Sequence, residues 1–501
     1  MVIEPFLQEG YQLLHQGAIE LSRVEANGIR IHRRRLKEAI EEASQRLLKL
    51  RHAIITDPLW KHWRKRFGEN ANLASRDQLA HILYQELKYP VTRLTEKGRP
   101  SVDEEVLQEV DIPIIQRIGE YLKIEKILGT FLLGIQKEIA PDGRIHPVFN
   151  LHTARTYRSS SDSPNFQNFP VRDKEASRLV RSLFIPSKGC LLVENDFKGI
   201  EVVVSAAYHR DKNFISYIRD PKKDMHRDLA AQIYCLEPSQ VTKDIRYGAK
   251  NKFVFPQFYG DFYKSCAKAL WDWIRKGKLK APDGRSLYDH LYDKGIRELG
   301  ACDMEKEPVP GTFEYHVKQV EDDFWNRRFR DYGKWRKEWF QKYQERGYFD
   351  LLSGFRVQGF FPRNAVVNYP IQGSAFHCLL WSLIQINRQL RKAGLQSKIV
   401  GQIHDSIVAD VVREELREYL CIVEDVTMRQ LPRHFDWLVV APQIEYEISY
   451  PERSWYGKQP FQFRDGHFVH PDHPKQITSE VKEFLRWSST RNTDPNGSKT
   501  S

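Results

Sequence analysis

The sequence predicts an α+β fold, because long stretches with helical spacing of apolar residues are interrupted by a few segments with the character of strands. Residues 1 to about 135 follow a helical pattern. The apolar run Cys190–Val193, which leads to Asp196, predicts a buried strand, and residues 398–411 alternate around a turn as a hairpin does. The strands are therefore expected to come from segments that lie far apart in the chain.

Local signals predict the elements between these landmarks. Ser101 followed by Glu104 predicts a capping box at the start of a helix. The segment HPVFNLHTARTYRSSSDSPNFQNFP is rich in Ser, Asn and Arg and predicts a loop with short strands. Residues 224–260 predict basic helices, and residues 366–395 predict one long apolar helix.

Composition is that of a globular protein with an excess of basic residues. The 501 residues are too many for one compact core and indicate roughly two to four subdomains. The net charge of +12 suits a polyanionic partner such as nucleic acid, and it equally suits a solubilising surface. Six scattered cysteines without a CxxC pair argue against a disulfide framework or a zinc site. The sequence has no long apolar run and no signal core, so we expect a cytoplasmic protein without a membrane partner.

Three short segments carry the residue types that nucleotide transfer needs. Asp196 ends the buried strand, and His404-Asp405 occupy the tip of the hairpin. Two aspartates at strand ends can hold divalent cations about 3.5–4 Å apart, which activate a primer hydroxyl and neutralise a leaving pyrophosphate. Arg246 and Lys250 lie four residues apart on a helix and can face a triphosphate together.

Each segment alone has a simpler interpretation. An aspartate at the end of a strand is usually a cap or a turn residue, and an Arg/Lys pair on a helix usually lies on a solvated face. The order of the three segments and the sequence around them favour the catalytic interpretation.

The three segments resemble the polymerase motifs of family A DNA polymerases. DFKGIE resembles the first motif, IRYGAKNKFVFPQFYG resembles the second, and QIHDS resembles the third. Two further stretches, TYRSSSDSPNFQN and NYPIQGSA, resemble other family motifs in the expected order, and DMHRDLAAQIY fits the segment ahead of the second motif. The resemblance spans roughly residues 10–455.

The resemblance implies a role for each matched residue. Two Mg²⁺ ions, or Mn²⁺ in their place, would be bound by Asp196 and Asp405, with Lys250 as a further catalytic residue. Contacts to the incoming deoxynucleoside triphosphate are implied for Arg246, His226, Glu201, Phe255, Tyr259 and Gly260. Contacts to primer–template DNA are implied for Arg158, Asn165, Gln167, Asn368, Gln372 and His404. The carboxylate of Glu201 would exclude a 2′-hydroxyl.

The sequence departs from the family pattern in each of the three motifs. Lys198 and Gly199 stand where the family favours Ser and Gln. Ser406 replaces the Glu that usually follows the second aspartate, so one carboxylate fewer is expected near the metals. The second motif has one extra residue between Lys250 and Tyr259.

The extra residue predicts a π-bulge between Lys250 and Pro256. An undistorted helix would turn Phe255 to about 180° from Arg246 and away from the nucleotide. Pro256 removes a helical hydrogen bond, and a one-residue bulge near such a kink restores the phase. Phe255 is then expected to pack against the incoming sugar, and in the family a Phe there is associated with rejection of dideoxynucleotides.

The resemblance also implies a right-hand polymerase fold with a helical thumb, an α/β palm with an antiparallel sheet, and helical fingers. The expected regions are a thumb at 1–145, palm at 146–222 and 351–457, fingers at 223–350, and a C-terminal extension at 458–501 that is disordered from about 488. Within the fingers, the segment near 268–312 is longer than the family core. Its Trp and basic residues suit either a surface loop or a surface that stacks on single strands.

The sequence is thus interpreted as a DNA-directed DNA polymerase of replication or repair that acts on primer–template DNA with dNTPs and is expected to be a monomer. A proofreading exonuclease domain is not expected, because thumb-like helices begin near Glu9; a longer parent chain is the alternative. An exonuclease, helicase or primase would then be a separate partner. The FVFPQFYG variant favours a phage-type enzyme, located in the cytoplasm of a bacterial or phage-infected cell.

Two other functions compete with this interpretation. A single-subunit RNA polymerase has related metal chemistry, but the Glu201 carboxylate would clash with a ribose hydroxyl. An inactive polymerase fold could serve as a DNA-binding scaffold, but such a protein is expected to lose Asp196, Lys250 or Asp405, and this sequence retains all three.

Overall fold

Helices, one six-stranded antiparallel sheet and three smaller antiparallel sheets make up the part of the chain that the structure describes. The computed structural model describes residues 4–5, 7–91, 93–95, 98–171, 173–277, 279–449 and 453–469. The predicted α+β fold class is confirmed.

The N-terminal part is mostly helical, as predicted. Its elements are β1 Glu4–Pro5, α1 Gln8–Asn27, β2 Ile29–Arg30, α2 Arg33–Ile55, α3 Pro58–Phe67, α4 Arg76–Ala80, α5 Glu104–Glu109, α6 Pro113–Lys126, α7 Leu133–Glu138 and β3 Arg144–Ile145. The capping box predicted at Ser101 is wrong. The Asp103 carboxylate caps α5 by accepting from the Val106 amide at 2.9 Å, and the Ser101 hydroxyl donates to Asp103 instead.

The middle of the chain holds the central strand and a group of helices. Its elements are β4 Val148–Asn150, β5 Ser160–Asp162, α8 Lys174–Arg181, β6 Cys190–Phe197, α9 Ile200–His209, α10 Lys212–Arg219, α11 Met225–Ile233, α12 Lys243–Ala249, α13 Phe255–Phe258, α14 Tyr263–Lys276, α15 Leu287–Asp293, α16 Phe313–Asp322 and α17 Arg330–Arg346. A π-helical turn, Lys250–Val254, joins α12 to α13.

The C-terminal part returns to the sheet. Its elements are β7 Tyr348–Asp350, β8 Phe355–Gln358, α18 Arg363–Lys392, β9 Lys398–Ile403, β10 Ser406–Val412, α19 Leu416–Glu424, α20 Leu431–His434, β11 Ile444–Ser449, β12 Gln459–Arg464 and β13 His467–Val469. The predicted long helix and hairpin are α18 and β9–β10. The tail expected to be disordered from about 488 lies outside the described residues.

One six-stranded sheet positions the candidate site. Its strand order is β13–β12–β11–β6–β10–β9, and each neighbouring pair is antiparallel. Central β6 buries Leu191 and Val193 completely, which fixes the face that each following side chain takes. Asp196 therefore lies on the opposite face, across from Ser406 on β10 and Glu445 on β11.

Three hydrophobic cores underlie the described residues. The largest joins α1, the six-stranded sheet and α18, and it contains the residues beneath Asp196. A second core packs the helices between about residues 206 and 332. A third lies within residues 54–118.

The Trp-containing segment 268–312 is largely folded against the second core. Trp271 is 4% exposed. Trp273 donates from its indole nitrogen to the Asp244 carbonyl at 3.3 Å, and its ring covers Gly248, where a Cβ would lie 2.4 Å from the ring. The surface-loop interpretation is therefore wrong for these two residues: Trp273 supports α12, and Trp271 packs against Tyr288 and Phe313. Stacking of the segment on single strands stays a prediction.

Candidate active site

The structure brings the two predicted aspartates together at one end of the sheet. Asp196 lies near the end of β6, and Asp405 lies in the tight turn between β9 and β10. The Phe197 amide donates to the Asp405 carbonyl at 3.1 Å, so the turn is tied to the end of β6. His404 takes a left-handed conformation, with φ 50°, at the exposed tip of this turn.

Burial sets the electrostatics of this pair. Burial first, and then the charge of Asp405, raise the pKa of Asp196 above its ordinary value. Burial likewise raises the pKa of Asp405, although Arg158 and His404 oppose the shift. In the described part of the chain, neither carboxylate has a Lys or Arg nitrogen within 4.0 Å. Two adjacent carboxylates in a desolvated position are unfavourable together unless cations neutralise them.

This donor set fits divalent cations that are held partly by a substrate. Among the described residues, no three His, Cys, Asp or Glu side chains form a cluster able to hold a metal ion without help. Mg²⁺ commonly binds through one or two carboxylates together with substrate phosphates. Asp196 and Asp405 meet that requirement.

The helix that carries Arg246 and Lys250 contains the predicted π-bulge. The π-helical turn covers Lys250–Val254, and Pro256 then lies in the first turn of α13. The Lys250 ammonium lies 5.1 Å from the centre of the Phe255 ring, and that ring stacks on Tyr259 at 6.0 Å. The bulge thus restores Phe255 to the face of Lys250, and this prediction is confirmed.

His226 joins the same face from helix α11. Its ring packs edge-on against Phe255 at 5.8 Å. Burial first, then the charges of Arg246 and Lys250, lower the pKa of His226 to about 4, so the imidazole is neutral near pH 7. Its buried Nδ1 has no hydrogen-bond partner among the described residues.

Asp224 is a member of this group that the sequence reasoning missed. Its carboxylate accepts from Arg246 Nε at 2.7 Å and from the amides of His226 and Arg227. It therefore orients the arginine and caps α11 at once. An aspartate directly before a helical segment is an N-cap signal, but its ion pair with a residue on another helix has no local signature.

Glu201 lies between two partners at the start of α9. Its carboxylate forms an ion pair with Arg158 and accepts a hydrogen bond from the Tyr259 hydroxyl at 3.2 Å. Burial raises the pKa of Glu201, and burial followed by the Glu201 charge raises the pKa of Tyr259. The three side chains predicted for sugar, base pair and DNA contacts are thus in mutual contact.

Gly260 lets this group of helices approach α18. Its φ is 92°, and a Cβ at this position would lie 2.9 Å from the Asn364 Cα. A side chain there would meet backbone, so only glycine fits without a shift. Asn368 and Gln372, predicted to contact DNA, lie one turn apart on α18 and are half-buried.

The remaining predicted DNA contacts differ in their surroundings. The Asn165 side-chain oxygen accepts from the Ser161 hydroxyl at 3.3 Å. Gln167 is 8% exposed, and its amide donates to Gln402 at 2.6 Å and to Ser159 at 2.8 Å. A contact between the Gln167 side chain and DNA would require those two bonds to break.

Ser406 stands where the family usually has Glu, and its hydroxyl forms a hydrogen bond with the carboxylate of another residue. Its single hydroxyl proton is shared between two acceptors, the Glu194 carboxylate on β6 and the Ile403 carbonyl, each at 3.1 Å. Glu194 also accepts from the Trp455 indole at 2.8 Å and from the Lys458 ammonium at 2.5 Å. Sequence reasoning missed this group because Glu194 lies more than two hundred residues from each of its three partners.

Comparison with known families places the chain. A sequence model described as DNA polymerase family A matches residues 37–294 and 312–449, which is well over half of the sequence. The chain therefore belongs to DNA polymerase family A. The match leaves out residues 295–311, which lie within the segment near 268–312 that is expected to be longer than the family core.

Individual relatives agree with that family. DNA polymerase I of Lactococcus lactis subsp. lactis is 30% identical over 408 residues, which are 81% of this chain and 42% of that protein. DNA polymerase I of Caldicellulosiruptor bescii is 28% identical over 440 residues, 87% of this chain and 46% of that protein. This chain therefore spans less than half the length of these curated relatives.

A solved structure shares the fold. The POL domain of Pol1 from M. smegmatis, in complex with a DNA primer-template and dNTP, superimposes with a TM-score of 0.67 at 23% identity. The match covers 88% of this chain and 70% of that one. No helix in the described residues combines the length and apolar character that a membrane span requires.

Proposed function

We propose that this chain is a DNA-directed DNA polymerase that adds deoxynucleotides to a primer 3′ end. The observation that carries the proposal is the pair Asp196 and Asp405, two partly buried carboxylates to which no Lys or Arg of the described residues forms an ion pair. Lys250 and Arg246, together with His226 on the neighbouring helix α11, belong to the matched motifs. Acidic groups for metal and cationic groups for phosphate are the two requirements of phosphoryl transfer.

Each of these groups has a task in the proposed reaction. Two Mg²⁺ ions, when bound by the aspartates and the triphosphate, would activate the primer hydroxyl and neutralise the leaving pyrophosphate. Lys250 and Arg246 would hold the phosphates, with Asp224 keeping the arginine oriented. Neutral His226 would donate a hydrogen bond to the triphosphate without adding a charge.

The selectivity of the site is proposed to come from Glu201 and the residues around it. Because Arg158 and Tyr259 hold the Glu201 carboxylate in place, a 2′-hydroxyl close to it would meet a fixed, desolvated group. Phe255 and Tyr259 would pack on the sugar and the base pair. Primer–template DNA would contact Arg158, Asn165, Gln167, Asn368, Gln372 and His404.

The wider assignments are proposals as well. We divide the chain into a thumb at 1–145, palm at 146–222 and 351–457, fingers at 223–350 and a C-terminal extension from 458. The second and third hydrophobic cores lie mainly within the proposed fingers and thumb, whereas the largest joins α1 of the proposed thumb to the palm sheet. A role in replication or repair, a monomeric state and a phage-type origin with separate exonuclease, helicase or primase partners complete the proposal.

Primer extension tests the function directly. The protein should extend a labelled primer with dNTPs and Mg²⁺, and much more slowly with NTPs. Asp196→Ala and Asp405→Ala should each abolish extension while primer–template affinity in a gel-shift assay stays within about threefold, because phosphate contacts dominate that affinity. Faster extension with NTPs would favour an RNA polymerase. DNA binding without any extension by the unmodified chain would favour the scaffold.

A further inference from the structure

The carboxylate of Glu194 is the centre of a buried polar group beneath the two aspartates. Its side chain is 13% exposed and lies on β6, on the same face as Asp196 two residues later. It receives three hydrogen bonds, from Ser406 at 3.1 Å, Trp455 at 2.8 Å and Lys458 at 2.5 Å. A carboxylate with this many donors is firmly fixed.

These donors connect three separate segments of the chain. Ser406 directly follows Asp405, so its bond to Glu194 ties the second aspartate to the strand of the first. Trp455 is fixed in turn, because its ring stacks on Phe166 at 5.4 Å and its amide donates to the Phe184 carbonyl at 2.8 Å. The group therefore rests on a rigid apolar support.

Lys458 supplies the positive charge of the group. It is 18% exposed and also binds Glu447, which lies opposite Glu194 on β11, at 2.5 Å. A buried carboxylate needs such a partner, since an unpaired one is strongly destabilising. The Lys458 charge is thus shared between Glu194 and Glu447, whereas no Lys or Arg of the described residues forms an ion pair with Asp196 or Asp405.

We propose that Glu194 is a positioning residue for the metal-binding aspartates: through Ser406 it fixes Asp405 relative to Asp196, and Lys458 holds it there. This inference rests on the proposed function. It also explains the serine at 406, because a carboxylate in that position would lie beside Glu194 with the same charge.

Glu194→Gln tests the proposal, and Glu447→Gln is its matched control. Both changes remove an ion pair with Lys458, but only the first alters the group that binds Ser406. Thermal unfolding of the protein alone is measured at increasing Mn²⁺ concentrations. The readout is the Mn²⁺ concentration that gives half of the maximal increase in Tm. We expect E194Q to raise it about 10- to 100-fold and E447Q by less than about threefold, because groups that orient metal ligands commonly contribute that much. Equal effects of the two variants would overturn the proposal.

The Mg²⁺ dependence of primer extension gives a second readout. E194Q should shift the Mg²⁺ requirement upwards and leave primer–template affinity unchanged, and a fall in DNA affinity of similar size would contradict a positioning role. If the unmodified chain extends no primer, the proposed function fails, whereas the Mn²⁺ titration still decides the role of Glu194.

A double variant that exchanges Glu194 and Ser406 distinguishes a loss of metal positioning from a loss of folding. Ser406→Glu alone should weaken Mn²⁺ binding at least tenfold, and E194S/S406E should recover most of it, because the carboxylate–hydroxyl pair is restored in reverse. A double variant no better than S406E would refute the argument. If E194Q does not fold, Ser406→Ala decides: it keeps Glu194 on Lys458 and Trp455, and Mn²⁺ binding equal to that of the unmodified chain would overturn the proposal.

Discussion

Asp196→Asn is expected to stabilise the fold while it abolishes synthesis. In the folded chain, burial and the neighbouring Asp405 charge raise the pKa of Asp196 from 3.8 to about 8. An acid whose pKa is higher in the folded state takes up a proton on folding. Its destabilising effect is therefore absent below about pH 4 and grows as the pH rises towards 8.

The size of the effect follows from that shift. One pKa unit corresponds to about 1.4 kcal/mol, and at pH 7 an ordinary Asp is about three units past its midpoint, which sets a limit of about 4 kcal/mol. Asparagine has nearly the same shape and no charge. We therefore expect D196N to raise the free energy of unfolding by about 1–4 kcal/mol at pH 7 without metal.

Denaturant unfolding in EDTA at several values between pH 5 and pH 8 measures this difference, which should widen as the pH rises. Added Mg²⁺ should stabilise the unmodified chain and leave D196N nearly unchanged. Asp410→Asn is the control, because that buried carboxylate accepts from the Ser187 amide at 3.0 Å and lies 3.9 Å from Arg144, so the same change should destabilise. A D196N protein that is no more stable than the unmodified chain in EDTA would refute the reasoning.

Three further changes address substrate selection. Glu201→Ala should raise the ratio of kcat/KM for ribonucleotides to that for deoxynucleotides by at least about tenfold, and an unchanged ratio would place the sugar filter elsewhere. Phe255→Tyr should improve dideoxynucleotide use in chain-termination assays, since a tyrosine hydroxyl can replace the missing 3′-hydroxyl, whereas Val254→Tyr should not; the opposite result would contradict the phase that the π-bulge sets. Gly260→Ala should lower kcat/KM for dNTPs at least about tenfold, because left-handed backbone costs about 1–2 kcal/mol and the new Cβ would clash with the Asn364 Cα. Unchanged kinetics would show that α18 can move to accommodate the Cβ.

Sequence reasoning succeeded where the signal was local. The helix and hairpin that follow residue 363, the strand before Asp196 and the bulge ahead of Pro256 all follow from periodicity or from one proline. The order of the motifs then predicted that Asp196 and Asp405 would meet. The cap of α5 was misplaced by two residues, because Ser101 and Asp103 carry nearly equivalent signals and only the backbone path distinguishes them.

What failed was the prediction of partners across long sequence distances. Arg246 binds Asp224, and Ser406 binds Glu194. Neither pairing can be predicted from hydrophobic periodicity or from a sequence motif. The Trp-containing segment was misjudged for a similar reason. From composition alone, a Trp in a basic segment is interpreted as a stacking residue or a loop residue. In the structure, the Trp273 ring packs over Gly248.

The central place of β6 in the sheet has a consequence for the order of synthesis. Both of its neighbours, β10 and β11, are made long after it, so residue 196 leaves the ribosome with neither edge of its strand paired. Helix α1 also lacks two of its partners at this stage, because they are made later. Glu20 pairs with Arg391, and Asn27 donates to the Ile399 carbonyl at 2.8 Å. The edges of β6 therefore stay unpaired until β10 and β11 have been made, and the proposed metal site is complete only after Trp455 has emerged.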